Sequence, residues 1–270
     1  MVQVGQVRAV YWPGDERLAT SLAEYADGTH DWPGLPHVPP FPLTLLVTRS
    51  ASRFDSLTRG RLPAWTGAAA FPRSHTIVLR VTGDPFATLQ HEMAHLVLGR
   101  IAPYAPLWFA EGYAVCAAHS WDALDALSLN WRLLRGQAPG FHELDHQLRA
   151  GENSARAAYG LAAAAVLYLQ RLGGDRGLAP LLDHLKEDRD FDHAVRAVYL
   201  VSLDELERDW HRDLRRRYGW LLLGTSVTLL WGITGLVVGL VWWRRRRTDR
   251  VRRAALDEGW EIGPETDANA

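Results

Sequence analysis

The stretch DPFATLQHEMAHLVLG, residues 84–99, decides how this chain is organised, because it reads as one helix with both ends marked. Asp84 can cap the free N–H groups of the first turn, and Gly99 suits the helix end. His91 and His95 are four residues apart. Their imidazoles are therefore predicted to project from one face of the helix, about one turn from each other.

Glu92 directly follows the first of these histidines and completes the pattern H-E-x-x-H. In this pattern the imidazoles are neutral nitrogen ligands for zinc, and the carboxylate can accept a proton from an attacking water. The flanking residues Leu89 and Leu96-Val97-Leu98 are apolar, so the helix can lie in a dry core. A dry surround strengthens the polarising effect of a metal ion.

The same pattern occurs a second time as HELDH, residues 142–146. That copy follows Pro139-Gly140 and runs into a polar segment that we expect to be solvated. Between Glu152, which is too close along the chain, and Asp175 there is no carboxylate or histidine to act as a third ligand. The first copy is therefore the predicted metal site.

A third ligand is predicted at Glu111, the one acid in the apolar stretch LWFAEGYAV, residues 107–115. A lone buried carboxylate is costly unless it is paired or bound to a metal. A catalytic site with two histidines needs one more protein ligand and an open fourth position, which Glu111 would complete. The alternative is that Glu111 forms a salt bridge or is half-exposed.

The segments HEMAH (91–95) and LWFAEGYA (107–114) together resemble the gluzincin metallopeptidases, and more narrowly the bacterial proteins with a peptidase MA-like domain. The chain departs from the thermolysin branch at Val115, where that branch carries an aspartate behind the zinc ligands. The likeness covers roughly residues 40–217, and its weaker helical segments are 157–160, 168–173, 191–195 and 202–210.

This resemblance implies a zinc peptidase in which His91, His95 and Glu111 hold Zn²⁺. Glu92 would then be the general base for a zinc-activated water. Tyr159 opens a helix downstream, as in the resembling family, and is the candidate for a phenol that stabilises the oxyanion. A tyrosine that only packs the core is the other interpretation.

The order of the elements predicts an α+β fold for residues 1–218. A small N-terminal mixed sheet occupies residues 1–83, and a zincin-type active-site helix with a helical subdomain occupies residues 84–218. The edge of the last predicted strand is expected to pair with an extended substrate. The predicted strands are 2–11, 43–48 and 75–81, with 49–61 a loop and 65–70 ambiguous; the predicted helices are 15–25, 84–99, 107–115, 122–135, 155–172, 175–185, 188–198 and 202–218.

Residues 219–243 contain no charged side chain and are rich in leucine and valine, with tryptophans near both ends. This length and composition predict one C-terminal transmembrane helix, with a buried soluble helix as the alternative. Gly235 and Gly239 form a G-x-x-x-G step, a weak indication of a homodimer. The tail, residues 244–270, is basic and then acidic and is predicted to be disordered.

The formal net charge of -1 gives no argument for a nucleic-acid partner. Cys116 is the single cysteine, so the chain has no intramolecular disulfide framework, and we expect a buried thiol. More arginines follow the apolar run than precede it, which favours a single-pass cell-membrane protein with the catalytic domain outside. Residues 1–30 show no export signal, so a cytosolic, tail-anchored domain stays open.

The sequence therefore predicts a membrane-anchored zinc metallopeptidase that acts on peptide or protein substrates. The alternative, from another functional class, is a non-catalytic membrane-tethered zinc-binding or scaffold protein derived from a peptidase fold. Glu92 would have no purpose in a purely structural site, and structural zinc is usually bound by four protein ligands. The enzyme is the favoured interpretation for that reason.

Overall fold

The computed structural model describes residues 1–35, 38–63, 65–119 and 139–257, with the side chains of all of these except 153, 218–229 and 247–257. The predicted helix over residues 122–135 lies outside this range. The chain consists of two compact units, Met1–Gly219 and Trp220–Ala270. The first unit contains the sheet and the helices that carry the predicted site.

A mixed sheet forms the first part of the chain, as predicted, and it has five strands, one of which (β4) lies in the stretch that was ambiguous in the sequence. Its spatial order is β1-β2-β3-β5-β4. The three central strands β2, β3 and β5 are parallel, whereas β1 and β4 run antiparallel to their neighbours and form the two edges. The strands in chain order are β1 (Val2–Val4), β2 (Val7–Val10), β3 (Leu43–Thr48), β4 (Ala68–Phe71) and β5 (Thr76–Arg80).

The strand predicted over residues 2–11 is in fact two strands joined by a tight turn. Gly5 in that turn has φ +49°, a left-handed conformation that glycine adopts more readily than other residues. Asp27 Oδ1 accepts a hydrogen bond of 2.8 Å from the Gln6 N–H and fixes the turn on the first helix. An apolar alternating pattern does not distinguish one strand from a short hairpin, which is why the prediction missed the turn.

The helices of the described residues agree with most of the predicted ones. The loop predicted over residues 49–61 contains a helix, which begins where Ser50 Oγ accepts a hydrogen bond from the Arg53 N–H. The helix from Pro85 does not stop at Gly99 but continues to Ile101. The helices are α1 (Glu16–Asp27), α2 (Ala51–Leu57), α3 (Pro85–Ile101), α4 (Leu107–Ala117), α5 (Phe141–Arg149), α6 (Glu152–Leu172), α7 (Ala179–Glu187), α8 (Phe191–Tyr199) and α9 (Leu203–Asp257), with 3₁₀ turns at Pro72–Ser74 and Gly174–Arg176.

One face of the sheet packs against α1 and α3 to form the main core. Alternate residues of β3 and β5, such as Leu45 and Ile77, are fully buried on this face together with Leu22 of α1 and Leu89 of α3. Each fully buried leucine or isoleucine contributes about 1.5–3 kcal/mol relative to an exposed one. This packing holds α3 rigidly across the sheet and determines which face of α3 remains available for chemistry.

The close approach of α4 and α6 depends on small residues. At Gly112 an ideal Cβ would lie 2.3 Å from the Ala162 main-chain oxygen. The facing part of α6 is a run of alanines, Ala162–Ala165, all of them buried. The two backbones therefore pack almost directly against each other, which brings α6 close to Glu111, the residue before Gly112.

Carboxylates from later helices cap the first turns of α4 and α5. Asp145 Oδ1 of α5 accepts a hydrogen bond of 2.7 Å from the Trp108 N–H at the start of α4. Glu207 Oε2 of α9 accepts one of 2.7 Å from the Phe141 N–H at the start of α5. The Trp108 and Phe141 rings stack with centroids 4.2 Å apart. Helix α4 is thus fixed by contacts with a segment about 35 residues further along the chain.

The C-terminal unit is helical as far as Asp257, where α9 ends. Helical structure therefore extends into the tail that was predicted to be disordered from residue 244, and residues 258–270 lie outside the described range. Among the described residues no helix combines the length and the apolar character that a membrane crossing requires. The predicted transmembrane helix at 219–243 is thus not confirmed, and pairing through Gly235 and Gly239 stays a prediction.

We expect Gly112→Ala to lower the free energy of unfolding by about 2–3 kcal/mol, because the new methyl group would overlap backbone atoms that have no room to move. Gly99→Ala is the matched control. Its Cβ would lie 3.6 Å from Pro72, an ordinary contact, and alanine is the better helix former, so stability should stay equal or rise by up to about 1 kcal/mol. Urea unfolding of both variants measures the difference, and a Gly112→Ala protein as stable as the native chain would contradict the close packing.

Removal of the Asp145 carboxylate should also destabilise the protein. Asp145→Ala leaves the Trp108 N–H without its acceptor, and loss of such a cap costs about 1 kcal/mol. Glu143→Ala, an exposed acid on the same helix that bonds only to Gln147 among the described residues, controls for the change in charge and should stay within about 0.5 kcal/mol of the native chain. Equal losses in the two variants would show that Asp145 does not act as a cap.

Candidate metal centre

The histidine-bearing helix α3 begins as predicted, at a capped N-terminus. Asp84 Oδ1 accepts hydrogen bonds from the Phe86 N–H at 2.9 Å and the Ala87 N–H at 3.2 Å. The apolar face of α3 is buried, with Leu89 and Met93 in the main core. Since that face is held by the sheet, the face that carries the two predicted histidine ligands points toward α4.

The structure brings the three predicted ligands together. His91 Nε2 and His95 Nε2 are 3.1 Å apart. Glu111 Oε2 lies 3.4 Å from the first and 3.3 Å from the second. Among the described residues this is the group of histidine and acidic side chains that could hold a metal ion.

These separations fit one face of a tetrahedral metal site. Zinc lies about 2.0–2.2 Å from nitrogen and oxygen ligands, which places neighbouring ligand atoms of a tetrahedron about 3.3–3.6 Å apart. The observed distances of 3.1–3.4 Å are close to that range. The three atoms therefore leave a fourth vertex open, and the histidine side chains are 20 % exposed, so that vertex is accessible to a small molecule.

The surroundings of Glu111 also fit a cation at this place. Its Oε2 atom is buried and has no hydrogen-bond partner, although the two imidazole nitrogens lie beside it. Burial alone would raise the pKa of this carboxyl, but the adjacent His91 and His95 imidazoles hold the pKa below its ordinary value. The side chain is therefore an anion in a dry position, an arrangement that is costly unless a positive charge completes it.

Glu92 is the residue with the chemistry of a base. It is 9 % exposed, and burial raises the pKa of its carboxyl above the ordinary value. The neighbouring imidazoles counteract this rise, and the negative charge of Glu111 adds to it. The nearby main-chain N–H of Ala70 acts in the other direction and lowers this pKa slightly. A carboxylate with a raised pKa accepts a proton more readily than an ordinary one.

Helix α3, which carries Glu92, packs against β4, so β4 is the strand that borders the site. Ala70 belongs to β4, which is an edge of the sheet, whereas β5 lies between β3 and β4. The expectation that the strand over 75–81 offers a free edge is therefore wrong. The Arg80 N–H donates to the Gly67 carbonyl. Because bonded and non-bonded pairs alternate in an antiparallel ladder, the main-chain groups of Ala68 and Ala70 point outward from the sheet.

Tyr159 also lies at the site. Its ring packs edge-on against the His91 ring, with centroids 6.3 Å apart. Burial raises the pKa of the Tyr159 phenol, and the negative charges of Glu111 and Glu92 raise it further. The phenol is therefore protonated at neutral pH and can donate a hydrogen bond. The contact arises because α4 packs on α6. The family resemblance suggested Tyr159 as a site residue, but no local pattern in the sequence placed its ring beside His91.

The second H-E-x-x-H copy has a structural role. Its residues form α5, where His142 and His146 are exposed with ring centroids 4.8 Å apart. Leu144 is fully buried. Asp145, inside the motif, is the cap of α4. The segment is an amphipathic helix whose polar side is exposed, as expected, whereas its apolar side is buried, and its acid Asp145 holds the helix that carries Glu111.

Sequence reasoning also missed Gln90, which joins α3 to its neighbours. The Tyr25 hydroxyl of α1 donates a hydrogen bond of 3.0 Å to Gln90 Oε1. Gln90 Nε2 donates one of 3.5 Å to the Ala117 carbonyl at the end of α4. The sequence did offer one signal for Gln90, because it is a polar residue directly before the predicted ligand His91. These bonds tie together the two helices that carry the three predicted ligands.

Comparison with known proteins agrees with the geometry of this site. No curated protein matches the chain. A family model, that of the Peptidase MA superfamily, matches residues 42–216, which is more than half of the 270 residues and includes the whole candidate site. The chain therefore belongs to the Peptidase MA superfamily.

Proposed function

We propose that this protein is a zinc-dependent metallopeptidase of the gluzincin type, which hydrolyses peptide bonds. The observation that carries this proposal is the arrangement of three ligand atoms 3.1–3.4 Å apart with the buried Glu92 carboxyl beside them. A purely structural zinc site would need a fourth protein ligand and no base.

His91, His95 and Glu111 would hold Zn²⁺ in this site. When bound, the ion would act as a Lewis acid on the attacking water and on the peptide carbonyl. Glu92 accepts the proton that the water loses as its oxygen bonds to the carbonyl carbon. The same carboxyl then donates that proton to the amide nitrogen as the C–N bond breaks, so that no proton is gained or lost overall.

Two further groups would position the substrate. The Tyr159 phenol would donate a hydrogen bond to the oxygen that becomes negatively charged, and this kind of stabilisation is a large part of catalysis. The outward main-chain groups of Ala68 and the outward carbonyl of Ala70 on β4 would pair with an extended peptide, as an added strand does in β-augmentation. Such pairing selects peptides by their backbone and leaves sequence preference to side-chain contacts.

We expect Glu92→Gln to keep zinc but to lose at least about a hundredfold in kcat, because glutamine fills the same space and accepts no proton. The measurements are zinc content by metal analysis and hydrolysis of a mixture of fluorescence-quenched peptides. His95→Gln is the comparison variant, and it should lose both zinc and activity.

In the same assay Tyr159→Phe should lower kcat by about tenfold or more with little change in KM, because only the charged transition state gains from the phenol. Stoichiometric zinc with no hydrolysis by the native chain would favour the alternative, a non-catalytic zinc-binding or scaffold protein. Unchanged activity in Glu92→Gln would exclude Glu92 as the base.

Membrane attachment is a separate part of the proposal and is based on the composition of residues 219–243 alone. An uncharged run of this length partitions into a bilayer, so the full chain should stay with membranes during alkaline carbonate extraction. A chain ending at residue 218 is the control and should be released. Release of the full chain would contradict the anchor, and protease protection of intact cells would test whether the catalytic domain lies outside.

A further inference from the structure

A second concave surface is lined by the sheet face opposite to the main core and by residues at and just beyond the end of α3, such as Gly99 and Tyr104. Leu46 and Val78 are register partners on β3 and β5, and they alternate with Leu45 and Ile77, which face the main core. They therefore point to the other face, where they line a cleft of about 990 Å³. The cleft is large enough for several side chains of a peptide.

The rim of this cleft is strongly basic. Arg59, Arg61 and Arg73 line it, and no aspartate or glutamate does. All three arginines are exposed, and none forms an ion pair with a described residue. By contrast, Arg49, which lies outside the cleft, is bonded to Asp15. The cleft thus combines an apolar floor with positive charge that no described acid neutralises.

The same cleft reaches the strand that borders the metal centre. Ala70 lines the cleft, and its strand β4 packs against α3, the helix that carries Glu92. A peptide paired with the outer edge of β4 would have alternate side chains on the two faces of the sheet. One set would face the metal centre, and the other set would lie at the cleft.

We propose that this cleft, the arginine cleft, determines the specificity of the peptidase and binds acidic side chains of an extended substrate. The proposal rests on the proposed function, because the occupant reaches the cleft by pairing with β4. Carboxylates would bind Arg59, Arg61 and Arg73, which suit the planar carboxylate group, while apolar side chains contact the floor. The preferred substrate is therefore a peptide in which acidic residues alternate with apolar ones.

The backbone conformation of Arg59, at the rim of the cleft, suggests a substitution that should not disturb folding. Arg59 has φ +60°, a left-handed conformation that is unfavourable for a residue with a side chain and favourable for glycine. Arg59→Gly removes one positive charge and relieves this conformation. We therefore expect this variant to fold like the native chain, and urea unfolding of Arg59→Gly checks that any loss of binding is not a loss of stability.

The test measures binding without catalysis, on the full-length Glu92→Gln protein loaded with zinc. Two labelled peptides of equal length, one alternating leucine with glutamate and one alternating leucine with glutamine, are compared by fluorescence anisotropy. We expect the glutamate peptide to bind at least about fivefold more tightly, and the preference to weaken as salt is raised.

Removal of the arginines should abolish this preference. The double variant Arg61→Gln/Arg73→Gln and the single variant Arg59→Gly should each weaken binding of the glutamate peptide, by about fivefold and about twofold, with little effect on the glutamine peptide. The matched control is Arg8→Gln/Arg17→Gln, which removes two exposed arginines outside the cleft and should leave the preference intact. Equal affinity for the two peptides, or an equal loss in the control, would overturn the proposal.

Hydrolysis by the native chain is measured separately, so that the two proposals can fail independently. Cleavage of both peptides with equal kcat/KM and equal affinity would retain the peptidase and overturn the arginine cleft. Preferential binding of the glutamate peptide without any cleavage would support the cleft and contradict the peptidase.

Discussion

A buried carboxylate without a hydrogen bond is the constraint on which the rest of this structure depends. Glu111 Oε2 lies 3.3–3.4 Å from two imidazole nitrogens and has no partner that satisfies it. An anion in such a place is unfavourable unless a cation completes the group. One helix must therefore present two histidines on one face, and a second helix must approach it closely enough to place an acid between them.

That approach is controlled by residues that never touch a metal. Gly112 follows Glu111 and allows the α4 and α6 backbones to pack together, which also brings Tyr159 against His91. Asp145 holds the first turn of α4 from a distant helix. The geometry of the three predicted ligands is thus a consequence of helix packing, and small changes in that packing would move one of their atoms by more than a metal site would tolerate.

The sheet contributes the other half of the site. Its edge strand β4 packs against α3, the helix that carries Glu92, and Ala70 of the same strand also lines the arginine cleft. One short strand thus adjoins both the chemistry and the surface proposed to select the substrate. Because β4 is an edge, its remaining main-chain groups are available to a peptide, and this position follows from the strand order alone.

The sequence by itself determined the parts of this protein that depend on spacing within one element. Residues four apart share a helix face whatever surrounds them, so His91 and His95 were predictable, and a lone acid in an apolar helix identified Glu111. Only the tertiary structure decided that Tyr159 lies at His91, that Asp145 caps α4, and that β4 rather than β5 is the edge. Those facts depend on distances between elements far apart in the chain, which are set by packing and register and leave no local pattern.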